Sequence, residues 1–162
     1  MADQGGDAEA QFSLGSGFAD VRGTEPDYTR AAHWYAMAAA QGHVRAQFSL
    51  GMMCTEGRGM PRDDAKATLW FCRAAQQGHA GAQHNLGLRH RRASFGCLPN
   101  DSLEANLEAY KWFRLAAAQG YKPSDAELEQ IALILTRDQV SEGDQRADEF
   151  IVAESDAIQV SE

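Results

Sequence analysis

The side chains able to do chemistry are few, and their spacing decides what they are for. Five histidines (His33, His43, His79, His84 and His90) and three cysteines (Cys54, Cys72 and Cys97) are the candidate ligands and nucleophiles. A zinc site draws on Cys or His pairs a few residues apart, and the chain has no Cys-x-x-Cys pair and no matching histidine spacing. His84 and His90 would need distant partners that the sequence does not identify. His43 and His79 each follow a glycine at equivalent places, in "QGH", which points to a structural or capping role. No Gly-Lys-Ser/Thr loop, Gly-x-Ser-x-Gly elbow or His-Glu-x-x-His helix is present. The motifs therefore predict no catalytic residue, no metal and no cofactor; an active site assembled from residues distant in sequence would leave no such mark.

The cysteines are odd in number and unevenly spaced, as expected of reduced thiols in a cytoplasmic protein. Cys54 and Cys72 read as small buried hydrophobes. Cys97, in a predicted loop, is the one candidate reactive thiol.

A basic cluster, "RHRR" from Arg89 to Arg92, opens a predicted loop over 89–100 that also holds Phe95. Such a loop could hold an anionic ligand or nucleic acid, or it could be a solvated segment packed against an acidic C-terminal cap. The charge distribution favours the second reading. The net charge is -8, and Ser124 to Glu162 carries eleven acidic residues against two arginines, while the rest of the chain is nearly balanced. A nucleic-acid binder shows the opposite bias, so a nucleic-acid partner is not expected. The apolar run "YAMAAA" is too short to cross a bilayer, and "MADQGGDAEAQ" lacks the basic and apolar parts of a secretory signal. The expectation is a cytoplasmic protein with no membrane contact. Because the sequence starts inside a repeat, export directed by a preceding segment stays open.

The elements that position these residues are written in a repeat. "GDAEAQFSLG" from Gly6, "GHVRAQFSLG" from Gly42 and "GHAGAQHNLG" from Gly78 are three versions of one segment, at a shift of 36. Ala31, Trp34, Ala38, Ala39 and Gln41 recur as Ala67, Trp70, Ala74, Ala75 and Gln77, and after six extra residues "AYKWFRLAAAQGY" repeats them from Ala109. A period of this length marks stacked supersecondary units. Each reads as two helices: Ala10, Leu14 and Phe18 share one face of the first, and Ala31, Trp34, Tyr35, Ala38 and Ala39 share one face of the second. Gly15, Gly51 and Gly87 are expected to let helix backbones approach while the tryptophans fill the gap between repeats. Gly42, Gly78 and Gly120 sit where a left-handed glycine ends a helix. Second helices are expected to start at Thr24–Asp27 and at Asp63 or Asp64, and "SDAE" at Ser124 and "TRDQ" at Thr136 have capping-box spacing for two more helices, near 124–135 and 137–152.

The predicted fold is all-α: an α-α superhelix, or solenoid, of helix-turn-helix repeats closed by a C-terminal helix pair. Residues 1–153 form a single repeat domain, with repeats at about 6–41, 42–77 and 78–119 and a cap over 120–153, and 154–162 is a flexible acidic tail.

The pattern Ala-Gln-x-x-Leu-Gly, then Ala-x-x-Trp and Ala-Ala-x-Gln-Gly, resembles the Sel1-like repeat of the tetratricopeptide-like superfamily, with a bacterial origin. The resemblance covers residues 6–119. It implies a non-catalytic scaffold or adaptor that mediates protein-protein interaction, and it implies that the first helices line the concave side. A protein or peptide partner would then meet Phe12, Ser16, Arg45, Phe48, Met52, Thr55, His84, Leu88, Arg91 and Arg92, with apolar anchors beside basic residues that suit an acidic flank. A cysteine-rich branch of the family is linked to β-lactam binding or hydrolysis through a disulfide in each repeat. Here Cys54 and Cys72 fall on different helices of one repeat and no cysteine recurs at the period, so that enzyme reading is the weaker alternative.

Overall fold

The structure, a computed structural model, describes residues 7–20, 25–94 and 99–159. Its helices run α1 (Ala8–Ala19), α2 (Tyr28–Ala40), α3 (Val44–Glu56), α4 (Asp64–Gln76), α5 (Ala80–Ser94), α6 (Pro99–Ala118), α7 (Pro123–Ala132) and α8 (Arg137–Gln159). No strand occurs among the described residues. The fold class is the expected all-α repeat of helix pairs. The chain divides into two compact units, Met1–Ala82 and Gln83–Glu162, with the boundary inside α5.

Helix ends follow local chemistry. Asp27 and Asp63 cap α2 and α4 by accepting from the backbone N–H of Arg30 (3.0 Å) and Lys66 (2.9 Å). The second helices end at Gly42, Gly78 and Gly120, whose φ values of 88°, 81° and 78° lie where a side chain would be strained. "TRDQ" forms the expected reciprocal box: Gln139 N–H donates to Thr136 Oγ1 (3.3 Å) and Thr136 N–H to Gln139 Oε1 (2.9 Å). "SDAE" does not. Pro123 opens α7 one residue earlier, Lys122 precedes it without a side-chain cap, and Ser124 is fully buried.

In the N-terminal unit, α1 packs on α2, α2 on α3 and α3 on α4. The first-helix glycines work as predicted in purpose but not in partner. A Cβ at Gly15 would lie 2.7 Å from the Tyr35 ring, and one at Gly51 2.7 Å from the Phe71 ring. The residue that fills the space over each glycine is thus the aromatic after the tryptophan, and a ring rather than a backbone makes the close approach. Phe71 is completely buried, whereas Trp34 and Trp70 are only half-buried. The expected apolar stripe on α1 is also corrected: Gln11, Phe12 and Gly15 face inward, while Ala10 is exposed and Leu14 is 47% exposed.

In the C-terminal unit the six added residues do not make one long loop. Helix α5 continues to Ser94 and α6, with 20 residues, is longer than its 13-residue counterparts α2 and α4. Phe95 and Cys97 lie outside the described residues. Gly87 receives the Phe113 ring as Gly15 and Gly51 receive theirs. Both α7 and α8 pack on α6, around Ala109, Tyr110, Phe113 and Ile131. The segment from 154, expected as a tail, is helical as far as Gln159.

Candidate protein-interaction site

The repeat places one cluster of rings at each helix-pair junction. In the N-terminal unit Phe12 stacks on His43 (centroids 4.7 Å apart) and meets Tyr35 (5.5 Å), and Phe48 stacks on His79 (4.4 Å) and meets Phe71 (5.9 Å). Both imidazoles are N-caps as well: His43 Nδ1 accepts from Ala46 N–H (3.1 Å) and His79 Nδ1 from Ala82 N–H (3.2 Å). An Nδ1 that accepts leaves the ring proton on Nε2, which in His43 points at the Glu9 carboxylate 2.8 Å away. Burial, with a smaller contribution from Arg45, holds His79 below the ordinary imidazole range. In the C-terminal unit the same positions are taken by His84, Phe113 and Tyr121, with His84 5.7 Å and 5.3 Å from the two rings. His84 Nδ1 is 2.9 Å from the hydroxyl of buried Ser124, and burial lowers its pKa.

A second repeated device escaped the sequence reading. Gln11, Gln47 and Gln83 are buried, and each side-chain carbonyl accepts from the amide at the end of its own second helix: Gln41 (2.7 Å), Gln77 (2.8 Å) and Gln119 (2.8 Å). A buried amide without a partner is costly, so these pairs lock both helices of a repeat in register. The signal was available: a glutamine recurring in step with alanines on both helices requires a mutual partner.

The N-terminal unit holds six of the expected partner-binding residues. Phe12 is 7% exposed beneath His43 and Arg45, whose guanidinium lies 4.5 Å above the ring, so it is a packing residue and not an open anchor. Ser16 meets the Tyr35 hydroxyl (3.3 Å), and the Thr55 hydroxyl donates to the Gly51 carbonyl (3.0 Å). Arg45 is exposed, and Phe48 and Met52 are half-buried. These last two border an open hollow of about 270 Å³ whose apolar wall also includes Tyr28, Tyr35 and Met53. Glu56 and Arg58 stand at its edge, joined by an ion pair of 2.8 Å.

The C-terminal unit holds the other four. His84 belongs to the ring cluster, Leu88 packs against the unit's core and Arg92 is exposed. Arg91 is engaged by the Glu127 carboxylate and by Gln130 Oε1 (2.9 Å) on α7. The basic segment is therefore helical from Arg89 to Arg92, not a loop, and one of its charges is tied to the acidic cap. The acidic face of α8 is likewise partly structural: Arg146 joins Glu142 (2.6 Å) on α8 to Glu104 (2.6 Å) and Glu108 (3.2 Å) on α6, and Arg114 of α6 pairs with Asp144. Tyr110 donates to Asp144 (3.1 Å), and burial together with that carboxylate pushes its phenol up to about 12.

Cys54 and Cys72 are free thiols. Cys54 is buried with its Sγ–H 3.2 Å from Met60 Sδ, and burial raises its pKa. Among the described residues no group of three His, Cys, Asp or Glu side chains is placed to hold a metal ion, and no helix is long and apolar enough to cross a membrane.

Repeated helix pairs, closed by ring clusters and glutamine pairs, define the class as an all-α repeat protein. The Sel1 repeat model matches residues 8–43, 44–79 and 80–121, and the chain belongs to the Sel1 repeat family. Members of this family generally act as protein-interaction scaffolds and are usually non-catalytic. The chain is similar to a protective antigen present in uropathogenic Escherichia coli strains that displays an SLR fold, with 29% identity and a TM-score of 0.75 over 90% of this chain and 30% of that one. It is also similar to a Sel1 repeat protein from Oxalobacter formigenes, with 27% identity and a TM-score of 0.68 over 93% of this chain and 57% of that one. The chain thus spans less than a third of the length of the first of these relatives and less than three fifths of the second. No curated protein sequence matches it significantly.

Proposed function

We propose that this chain is a non-catalytic adaptor that holds a segment of a partner protein against the first-helix face of its N-terminal unit. The reading is carried by the hollow beside α3, where Phe48, Met52, Met53, Tyr28 and Tyr35 supply an apolar wall that the unit's own side chains leave open. Two of these are methionines, which repack around differently shaped apolar groups. The exposed guanidinium of Arg45, which lies over the Phe12 ring and makes no ion pair among the described residues, suits an acidic residue of the partner. The bound segment is an extended or helical peptide that places one bulky apolar side chain in the hollow.

The test is affinity capture from the native host by the chain and by Met52→Glu, with circular dichroism on both. Met52 is half-buried at the wall of the hollow, so a carboxylate there blocks an apolar anchor while the helical signal stays unchanged. Loss of one captured protein in the variant supports the site. Equal capture by both moves the binding surface elsewhere. Arg45→Glu should weaken capture, and the difference should shrink at high salt.

A further inference from the structure

Two helices lie on α6, and they are held in different ways. Helix α7 is anchored by Ile131, which is 1% exposed and sits with Tyr110 and Phe113 in the unit's core. In α8, only Gly143 and Ala147 are buried among residues 137–151. These are the smallest residues, so little apolar surface holds this helix down. Gly143 lets the helix backbone lie against the Tyr110 ring, which an added Cβ would strike. Val140 and Phe150, large apolar residues on the same side, stay half-buried, with Phe150 edge-on to the Trp112 ring at 5.2 Å. The seam is also incompletely filled: an open hollow of about 400 Å³ lies between Glu108, Lys111, Arg146, Glu149 and Phe150.

Charge supplies much of the remaining attachment. Arg146 reaches from α8 to Glu104 (2.6 Å) and Glu108 (3.2 Å) on α6, and Arg114 reaches from α6 to Asp144 and Asp148 (4.0 Å) on α8. Pairs in contact with solvent hold weakly one by one, and salt screens them. We infer that α8 is a strap that lifts from α6 as a separate unit, while α6 and α7 stay folded, and so uncovers Tyr110 and Trp112. The repeat tolerates the lifted state. Trp112 is 6% exposed, but its counterparts Trp34 and Trp70 are half-buried in the same chain, so a partly open ring at this position is compatible with a folded helix pair. The lifted helix keeps support of its own in the Thr136–Gln139 box and the Gln145–Glu149 hydrogen bond. Arg146 likewise keeps Glu142 (2.6 Å), one turn away on α8, when it leaves the two carboxylates of α6. The turn before the strap does not pin it, since Leu133 and Ile134 are 85% and 64% exposed. Segments with few buried apolar contacts open ahead of global unfolding.

Hydrogen exchange of the full chain, read by mass spectrometry, tests the lifting. At about 0.1 M salt the amides of 143–149 should exchange about tenfold faster than those of 109–116 in α6 and 127–132 in α7. Raising the salt to about 1 M should widen that gap several-fold, because the close pairs weaken while the net charge is already largely screened at the lower concentration. Arg146→Met keeps an unbranched side chain but sets Glu142 against Glu104 and Glu108, so it should speed exchange in α8 about tenfold further and cancel the acceleration by salt. Arg114→Met should speed it less, because Asp144 keeps the Tyr110 hydroxyl. Both arginines are partly exposed, and the α6 amides should exchange in each variant as in the parent chain. Equal exchange in α8 and α6, a gap in the parent chain that salt does not change, or α8 rates unmoved by Arg146→Met would overturn the strap. So would acceleration of α6 together with α8, which would make the lifting part of the unfolding of the whole unit. None of these outcomes involves the hollow beside α3.

Discussion

At the starts of α3 and α5 one imidazole does two jobs, and at the start of α7 those jobs are separated. His43 and His79 lie flat on Phe12 and Phe48 and also cap the next helix through Nδ1. In the C-terminal unit the ring at that place is Tyr121, which has no acceptor nitrogen. There the histidine has moved to the first helix, as His84, and its nitrogen is paired with Ser124 inside the core. Helix α7 begins instead with Pro123, whose missing N–H removes one of the donors a cap would serve. The ring contact is kept in all three repeats while the hydrogen bonding around it is rearranged. Packing is thus the requirement of the repeat, and the cap is the part free to vary.

If that comparison is right, the largest losses come from the rings rather than from the imidazoles. Phe71→Ala and Phe113→Ala each empty a fully buried site and should destabilise by about 3 to 5 kcal/mol in urea titrations. The two should be alike although they lie in different units. Trp34→Ala should cost clearly less, because that ring is half-exposed. A larger loss at Trp34 than at Phe71 would break the comparison and return the tryptophans to the central place the sequence suggested.

Much of the fold was legible because it is periodic: the three helix pairs, the left-handed glycines and the aspartate caps all recur at fixed offsets. What was misread depended on context outside any one helix. Leu14 carries the same pattern as Leu50 but is 47% exposed among the described residues, so identical residues are open in one repeat and sealed in the next. Tyr35 and Trp34 are adjacent in sequence but about 100° apart around the helix, and the position of Gly15 on another helix decides which ring enters the core. "SDAE" has the letters of a capping box, but a proline just before it fixes the helix start first. "RHRR" reads as a loop because the segment it opens stands where the second repeat has its Gly57-x-Gly59 turn, while arginine is a good helix former and α5 extends through it. Of the candidate site, Phe48 and Met52 were found by their spacing. Tyr28 and Arg58 were not, because they reach the hollow from the helix start and the turn that flank it.

A smaller effect probes the contact beneath the rings. Gly51→Ala and Gly87→Ala would each set a methyl against a phenylalanine ring held by its neighbours. Crowding of this kind costs about 1 to 3 kcal/mol, which outweighs the gain of about 1 kcal/mol from alanine's helix propensity. Both variants should melt below the parent chain. Gly17→Ala, where an added Cβ meets nothing within 4 Å among the described residues, should melt slightly higher. Equal shifts of one sign at all three glycines would mean that the ring contacts do not constrain these positions.

The smallest effect isolates the cap. In the folded chain, burial and the charge of Arg45 both oppose a proton on His79, and its Nδ1 is already used as an acceptor from Ala82 N–H. The unfolded chain therefore takes up this proton at a higher pH than the folded one, so the unfolded state binds more protons as acid is added. The contribution of His79 is complete above about 6.5, the ordinary imidazole value, and declines as the pH falls through that value toward the lower one of the folded state. Asparagine caps a helix about as well and does not titrate. His79→Asn should thus lose the stacking on Phe48 but keep the cap, at a cost of about 0.5 to 1.5 kcal/mol near neutrality. Its stability should also fall less steeply than that of the parent chain between pH 7 and pH 5, the residual slope coming from His84 and His90, which burial likewise holds low. The matching variant in the C-terminal unit, Tyr121→Asn, should lose the ring packing on His84. A slope that is the same in His79→Asn and in the parent chain would mean that the imidazole contributes its face and not its nitrogen, and the junctions of the two units would then differ less than the hydrogen bonds imply.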